Sequence, residues 1–139
     1  YAGVEPAVIA DLRTFAEQIG VAFQLSDDIL DIASDSVESG KTPGTDLREG
    51  VPTLPVLYAL RGDDPAGQRL RELVSHPLVD DAEHAEALRL LRTSDAIGEA
   101  RKTLRSYAAA ARATLVRLPD VPARGAFEAL TELLTARTG

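Results

Sequence analysis

A chain of 139 residues, 45% hydrophobic and 27% charged, is long enough for one domain with a real core and too short for two. Its net charge of −7 argues against a surface made for nucleic-acid phosphates, which needs clustered Lys and Arg. The absence of Cys excludes disulfides, thiolate chemistry and Cys-ligated zinc, and fits a cytoplasmic setting.

From Glu5 to about Ile32, Leu12, Phe15, Ile19, Ala22 and Phe23 recur at three- and four-residue steps, the period of an amphipathic helix. Pro6 suits its first turn. Ser34 to Pro52 then breaks the period with three Gly and two Pro. It reads as a long ordered loop, a kind that is often functional inside a compact domain. Thr53 to Leu60 is expected to be a short buried helix. Arg61 to Pro65 is a turn in which Asp64 caps the next helix and Pro65 takes its first position. Ala66 to Val74 follows as a helix, ended by His76-Pro77. Asp80 to Leu91 and Ile97 to Leu118 are two more, with Thr93 or Ser94 capping the longer one. Pro119 to Pro122 is a turn, and Ala123 to Ala136 forms the last helix. No segment alternates with period two, so the expected fold is all-α, a helical bundle, without repeats or low-complexity tracts.

The chemistry concentrates in Phe23-Gln24-Leu25-Ser26-Asp27-Asp28-Ile29-Leu30-Asp31. On a helix, positions i, i+1 and i+4 fall within a sector of about 100°, so Asp27, Asp28 and Asp31 converge. Two such charges about 5–6 Å apart repel by under ~1 kcal/mol in water, but by roughly 3 kcal/mol at an effective dielectric near 20. A divalent cation removes that repulsion; Mg²⁺ typically takes one or two carboxylates together with substrate phosphates. The plain alternative is a solvated acidic face, for which the flanking Phe23, Leu25, Ile29, Leu30 and Ile32 leave little room. The loop behind supplies Gly40, Lys41, Gly44 and Asp46: glycines that let backbone approach a ligand, and a lysine suited to phosphate. Together these suggest a metal-bridged diphosphate. Two rival motifs fail. A P-loop ending at Gly40-Lys41-Thr42 needs Gly where Asp35 stands, and a strand before it. A calcium loop starting at Asp31 needs a polar ligand at Ala33 and Gly at Ser36.

Gly20 to Asp31 with its Phe23-Gln24 pair, Gly40-Lys41-Thr42-Pro43-Gly44-Thr45-Asp46 through Gly50, and Thr53-Leu54-Pro55 resemble the second aspartate-rich region of the polyprenyl (trans-isoprenyl diphosphate) synthase family. The resemblance implies an isoprenoid-synthase helical fold and Mg²⁺-dependent transfer of an allylic prenyl diphosphate onto isopentenyl diphosphate, in a homodimer. It implies that Asp27 is the main Mg²⁺ ligand, supported by Asp28 and Asp31 directly or through metal-bound water. Lys41 would contact the allylic diphosphate, and Phe23 and Gln24 would line the reacting end. Asp46 has two open readings, ligand contact or cap of the next turn. Phe23 also fits an ordinary core aromatic, Gln24 a bond to a neighbouring helix, and Lys41 a solvated lysine.

Arg48 is expected to be structural, and His76 and His84 to be surface residues, without metal-ligand spacing. Val51 departs from the family pattern, where a polar residue is frequent. The family's first aspartate motif is not found in the chain, which has no Met and opens on Tyr1. The expectation is therefore the C-terminal portion of a single synthase domain, inactive when isolated. Two alternatives are a class I terpene cyclase and a non-catalytic subunit or binding module of the same fold.

Overall fold

The first helix, α1 (Pro6–Ala33), runs 28 residues through Gly20 without a break. In the computed structural model, which describes residues 3–34 and 42–139, six further helices follow among the described residues. They are α2 (Thr45–Glu49), α3 (Leu54–Ala59), α4 (Pro65–Leu73), α5 (Asp81–Thr93), α6 (Ala96–Leu115) and α7 (Pro122–Ala136). No strand occurs among the described residues, as expected from the missing period-two pattern. No helix among them is long and apolar enough to cross a membrane.

The helix boundaries follow local chemistry. Asp64 caps α4, its side chain accepting from the Gly67 N–H at 2.8 Å, with Pro65 in the first turn. Asp80 caps α5 by accepting from the Ala82 and Glu83 N–H groups. The Ser94 hydroxyl accepts from Ala96 N–H at the start of α6. One element departs from expectation. Within the stretch read as loop, Thr45 to Glu49 forms the short helix α2, bounded by Gly44 and Gly50, both left-handed at φ 73°. A helix of 5 residues is too short to show a hydrophobic period, and its bounding glycines resemble loop punctuation.

Two compact units are distinguished, residues 1–26 with 102–139, and residues 27–101. In the first, Phe15, Ala111, Leu115 and Leu118 form a buried cluster, with Val8, Ile19 and Phe127 packed against it. The rings of Phe15 and Phe127 lie 5.0 Å apart between centroids, tilted by 45°. Arg117 pairs with Asp11 at 2.8 Å, and the Thr114 hydroxyl donates to Gln18 Oε1 at 2.9 Å. In the second, Ile29, Ile32, Leu70, Leu73, Leu78 and Leu91 are fully buried, each worth about 1.5–3 kcal/mol relative to exposure. There α5 packs against α4 and α3, and Arg69 on α4 grips Glu86 on α5 through Nε and Nη2 at 2.9 and 2.8 Å.

Candidate metal centre

The acidic motif occupies the last turns of α1. Within residues 27–101, Ile29 and Ile32 turn to the interior, one turn apart at the three-residue step of a helix. That register leaves Asp27 exposed, Asp31 half-buried and Asp28 only 8% exposed. The end of α1 carries no basic residue of its own. Its terminal carbonyls are met from elsewhere: Arg92 on α5 donates to Ile32 O at 2.8 Å and to Ser34 O at 2.7 Å. The Gly44 N–H donates to Asp31 O at 2.7 Å.

Asp31 does more than face outward. Its Oδ1 accepts the Thr45 N–H at 3.1 Å and its Oδ2 accepts the Asp46 N–H at 3.2 Å. The carboxylate thus satisfies two of the first N–H groups of α2, which have no partner within their own helix. These bonds draw Asp46 in beside the acidic motif. Its carboxyl is pushed above the ordinary carboxylate range, first by burial and then by the negative charges of Asp31, Asp28 and Glu49. Asp46 does not cap α2, because the cap position is Gly44, and no side chain caps the helix there.

Gly44 is fixed by geometry. Its φ of 73° is the left-handed region that favours glycine, and a Cβ there would stand 2.7 Å from His84 Nε2. The same His84 nitrogen lies 2.8 Å from Gly44 O. A carbonyl only accepts, so Nε2 carries the proton and donates. His84 is buried at 6% exposure, which corrects its expected place on the surface; His76 is exposed as expected. A signal for His84 was present, since His84, Ala87 and Leu91 share the buried stripe of α5. Arg48 takes the structural role expected of it, bonding Asp81 at 2.7 Å and Val79 O at 3.3 Å.

Lys41 lies outside the described residues. Phe23, in the unit of residues 1–26 and 102–139, is 49% exposed rather than a core aromatic, and Gln24 is exposed as well. The Arg137 guanidinium lies 4.9 Å from the Phe23 ring centroid and donates from Nε to Ser26 Oγ at 2.6 Å. Sequence reasoning missed this contact, as it missed Arg92, because both partners are distant in the chain.

Among the described residues, no three acidic or histidine side chains are already gathered round one point as a metal ion would require. The donor chemistry nevertheless fits a hard divalent cation. All the candidate groups are carboxylates, and the negative charges that, after burial, help to raise Asp46 repel in a way such an ion relieves.

The family profile described as polyprenyl synthetase matches residues 1–91. Nonaprenyl diphosphate synthase of Mycobacterium tuberculosis is 50% identical over 139 residues, all of this chain and 42% of that protein. Dimethylallyltranstransferase of the same organism is 43% identical over 130 residues, 94% of this chain and 39% of that protein. The structure of geranylgeranyl pyrophosphate synthase from Corynebacterium glutamicum, complexed with calcium and isoprenyl diphosphate, superposes with a TM-score of 0.90. It shares 44% identity over 99% of this chain and 43% of its own. The chain thus spans about two fifths of the length of these relatives. Its helices and its motif lead to one assignment: the chain belongs to the polyprenyl synthetase family.

Proposed function

We propose that this chain is the C-terminal portion of an all-α polyprenyl synthase domain and supplies one metal-binding half of its active site. The full-length protein would condense an allylic prenyl diphosphate with isopentenyl diphosphate, as a cytoplasmic homodimer dependent on Mg²⁺. The observation that carries the reading is the meeting of Asp46 with the end of α1, where burial first and then neighbouring carboxylates hold its proton more tightly than usual. A carboxylate cluster that repels itself is suited to a ligand that brings positive charge. The prenyl diphosphate synthase names of the relatives favour this reading over a terpene cyclase or a non-catalytic module.

In this reading Asp27 and Asp28 hold Mg²⁺ from α1. Asp31 keeps a lone pair on each oxygen beyond its two backbone bonds, enough to accept from metal-bound water. Asp46 faces the same cation, and Lys41 neutralises the allylic diphosphate. Phe23 and Gln24 line the reacting end of the substrates. When bound, Mg²⁺ supplies neutralisation of the charge that develops on the departing diphosphate. The chain's own task is to hold these groups in place beforehand.

The test is Asp27→Ala in the full-length protein. Prenyl transfer should fall by orders of magnitude while thermal stability stays within about 0.5 kcal/mol, as for an exposed side chain. Near-normal turnover would remove Asp27 from the metal site.

A further inference from the structure

We propose that His84 is a positioning residue for the loop that faces the metal, acting through the Gly44 carbonyl; this rests on the function proposed above. The Gly44–Asp46 segment is held by hydrogen bonds to both α1 and α5. Asp31 takes its N–H groups: Gly44 N at 2.7 Å on the main-chain oxygen, and Thr45 N and Asp46 N at 3.1 and 3.2 Å on the carboxylate. Those bonds tie the segment to the end of α1. The Gly44 carbonyl accepts two donors, the Arg48 N–H of α2 at 3.3 Å and, from α5, His84 Nε2–H at the shorter 2.8 Å.

The His84 bond joins residues 40 apart in sequence and is buried. A non-donor at 84 leaves Gly44 O with the longer Arg48 bond and removes its tie to α5, so loop conformations that turn Gly44 O toward water gain in weight. Such conformations would draw Thr45 and Asp46 away from Asp31. His84 also excludes a side chain at residue 44, since a Cβ there would lie 2.7 Å from its Nε2. His84 therefore need not touch metal or substrate to affect them. It fixes where Asp46 stands.

The experiment compares His84→Leu, His84→Gln and His84→Asn in the full-length protein. The glutamine amide nitrogen has a reach similar to imidazole Nε2, whereas the shorter asparagine falls short of it. Two measurements are made: amide hydrogen exchange at Gly44, Thr45 and Asp46 without ligand, and the Mg²⁺ dependence of prenyl transfer from farnesyl diphosphate to isopentenyl diphosphate. His84→Leu should speed exchange at these three amides by about tenfold, as loss of one hydrogen bond implies. Exchange in the rest of α5 should stay unchanged. Half-saturating Mg²⁺ should rise by about three- to tenfold, with turnover at saturating Mg²⁺ within about twofold. His84→Gln should restore both values and His84→Asn should not.

Unchanged exchange at residues 44–46 in folded His84→Leu, or identical behaviour of the Leu and Gln variants, would overturn the proposal. Should His84→Leu fail to fold, the Gln and Asn pair decides it by the same two measurements. If the wild-type protein transfers no prenyl group, the proposed function fails on its own, and ligand-free exchange still reports whether His84 holds the loop.

Discussion

Asp31 and Asp46 are joined side chain to backbone: Asp31 Oδ2 accepts the Asp46 N–H at 3.2 Å while Oδ1 accepts from the neighbouring Thr45. One carboxylate of the acidic motif thus holds another acidic residue in place. Charge-assisted bonds of this kind are stronger than neutral ones. Asp31→Ala should therefore cost roughly 1–3 kcal/mol of stability in addition to activity, unlike Asp27→Ala. Asp31→Asn, which keeps one oxygen acceptor, should fall between. Thermal denaturation of the three variants side by side checks the ranking.

Asp46 should behave in the opposite sense. Its carboxyl is raised in the fold by burial and by its acidic neighbours, so the folded state binds a proton more readily than the unfolded chain does. Stability linked to this group is present at low pH and is lost as pH rises from the ordinary carboxylate value through the raised one. At neutral pH and without divalent cations, Asp46→Asn should slightly raise the melting temperature, on the sub-kcal/mol scale of a half-exposed site. Added Mg²⁺ should stabilise the wild type more than the variant. Melting curves with and without Mg²⁺ measure both effects.

Gly44→Ala combines two costs. The left-handed φ of 73° strains any residue with a Cβ, and that Cβ would press on His84 Nε2. The expected loss is on the order of 1–3 kcal/mol. Replacing His84 as well should recover the steric part and leave the backbone part. A double-mutant cycle on melting free energies separates them.

Glu86 predicts an acid-sensitive edge between α4 and α5. The hydrogen bonds from Arg69 hold its carboxyl below the ordinary range. A lowered folded value contributes stability that is present above the unfolded value and is lost as pH falls through the folded one. Glu86→Gln should lower the melting temperature at neutral pH, and its difference from wild type should close on acidification. The pair is partly exposed, so about 1 M salt should narrow the same difference.

Much of the architecture was legible because it is encoded locally. The step from Leu12 to Phe23 marked α1, Asp64-Pro65 marked the start of α4, and the absence of alternation excluded strands. The acidic motif could be read as a converging set from helical spacing alone. What could not be read depends on distant partners. Nothing near Asp31 in sequence says that its oxygens hold Thr45 and Asp46. Nor does anything near Ile32 say that Arg92 closes the end of α1 from 60 residues away. His84 was misjudged because a lone histidine on a charged helix resembles a surface residue until its carbonyl partner is known.

The placement of the acidic motif at the end of α1 has an electrostatic meaning of its own. Aligned peptide dipoles give a helix about half a negative charge at its C-terminus, felt over the last turn. Cations near that pole offset it, but α1 has no basic residue in its last turn and instead sets Asp31 two residues before its final residue, Ala33. Arg92 covers two of the terminal carbonyls but is drawn from another helix. The backbone of α1 thereby adds its field to that of its carboxylates. In the function proposed above, the peptide groups in the last turn of α1 would add to the attraction of its side chains for an arriving cation.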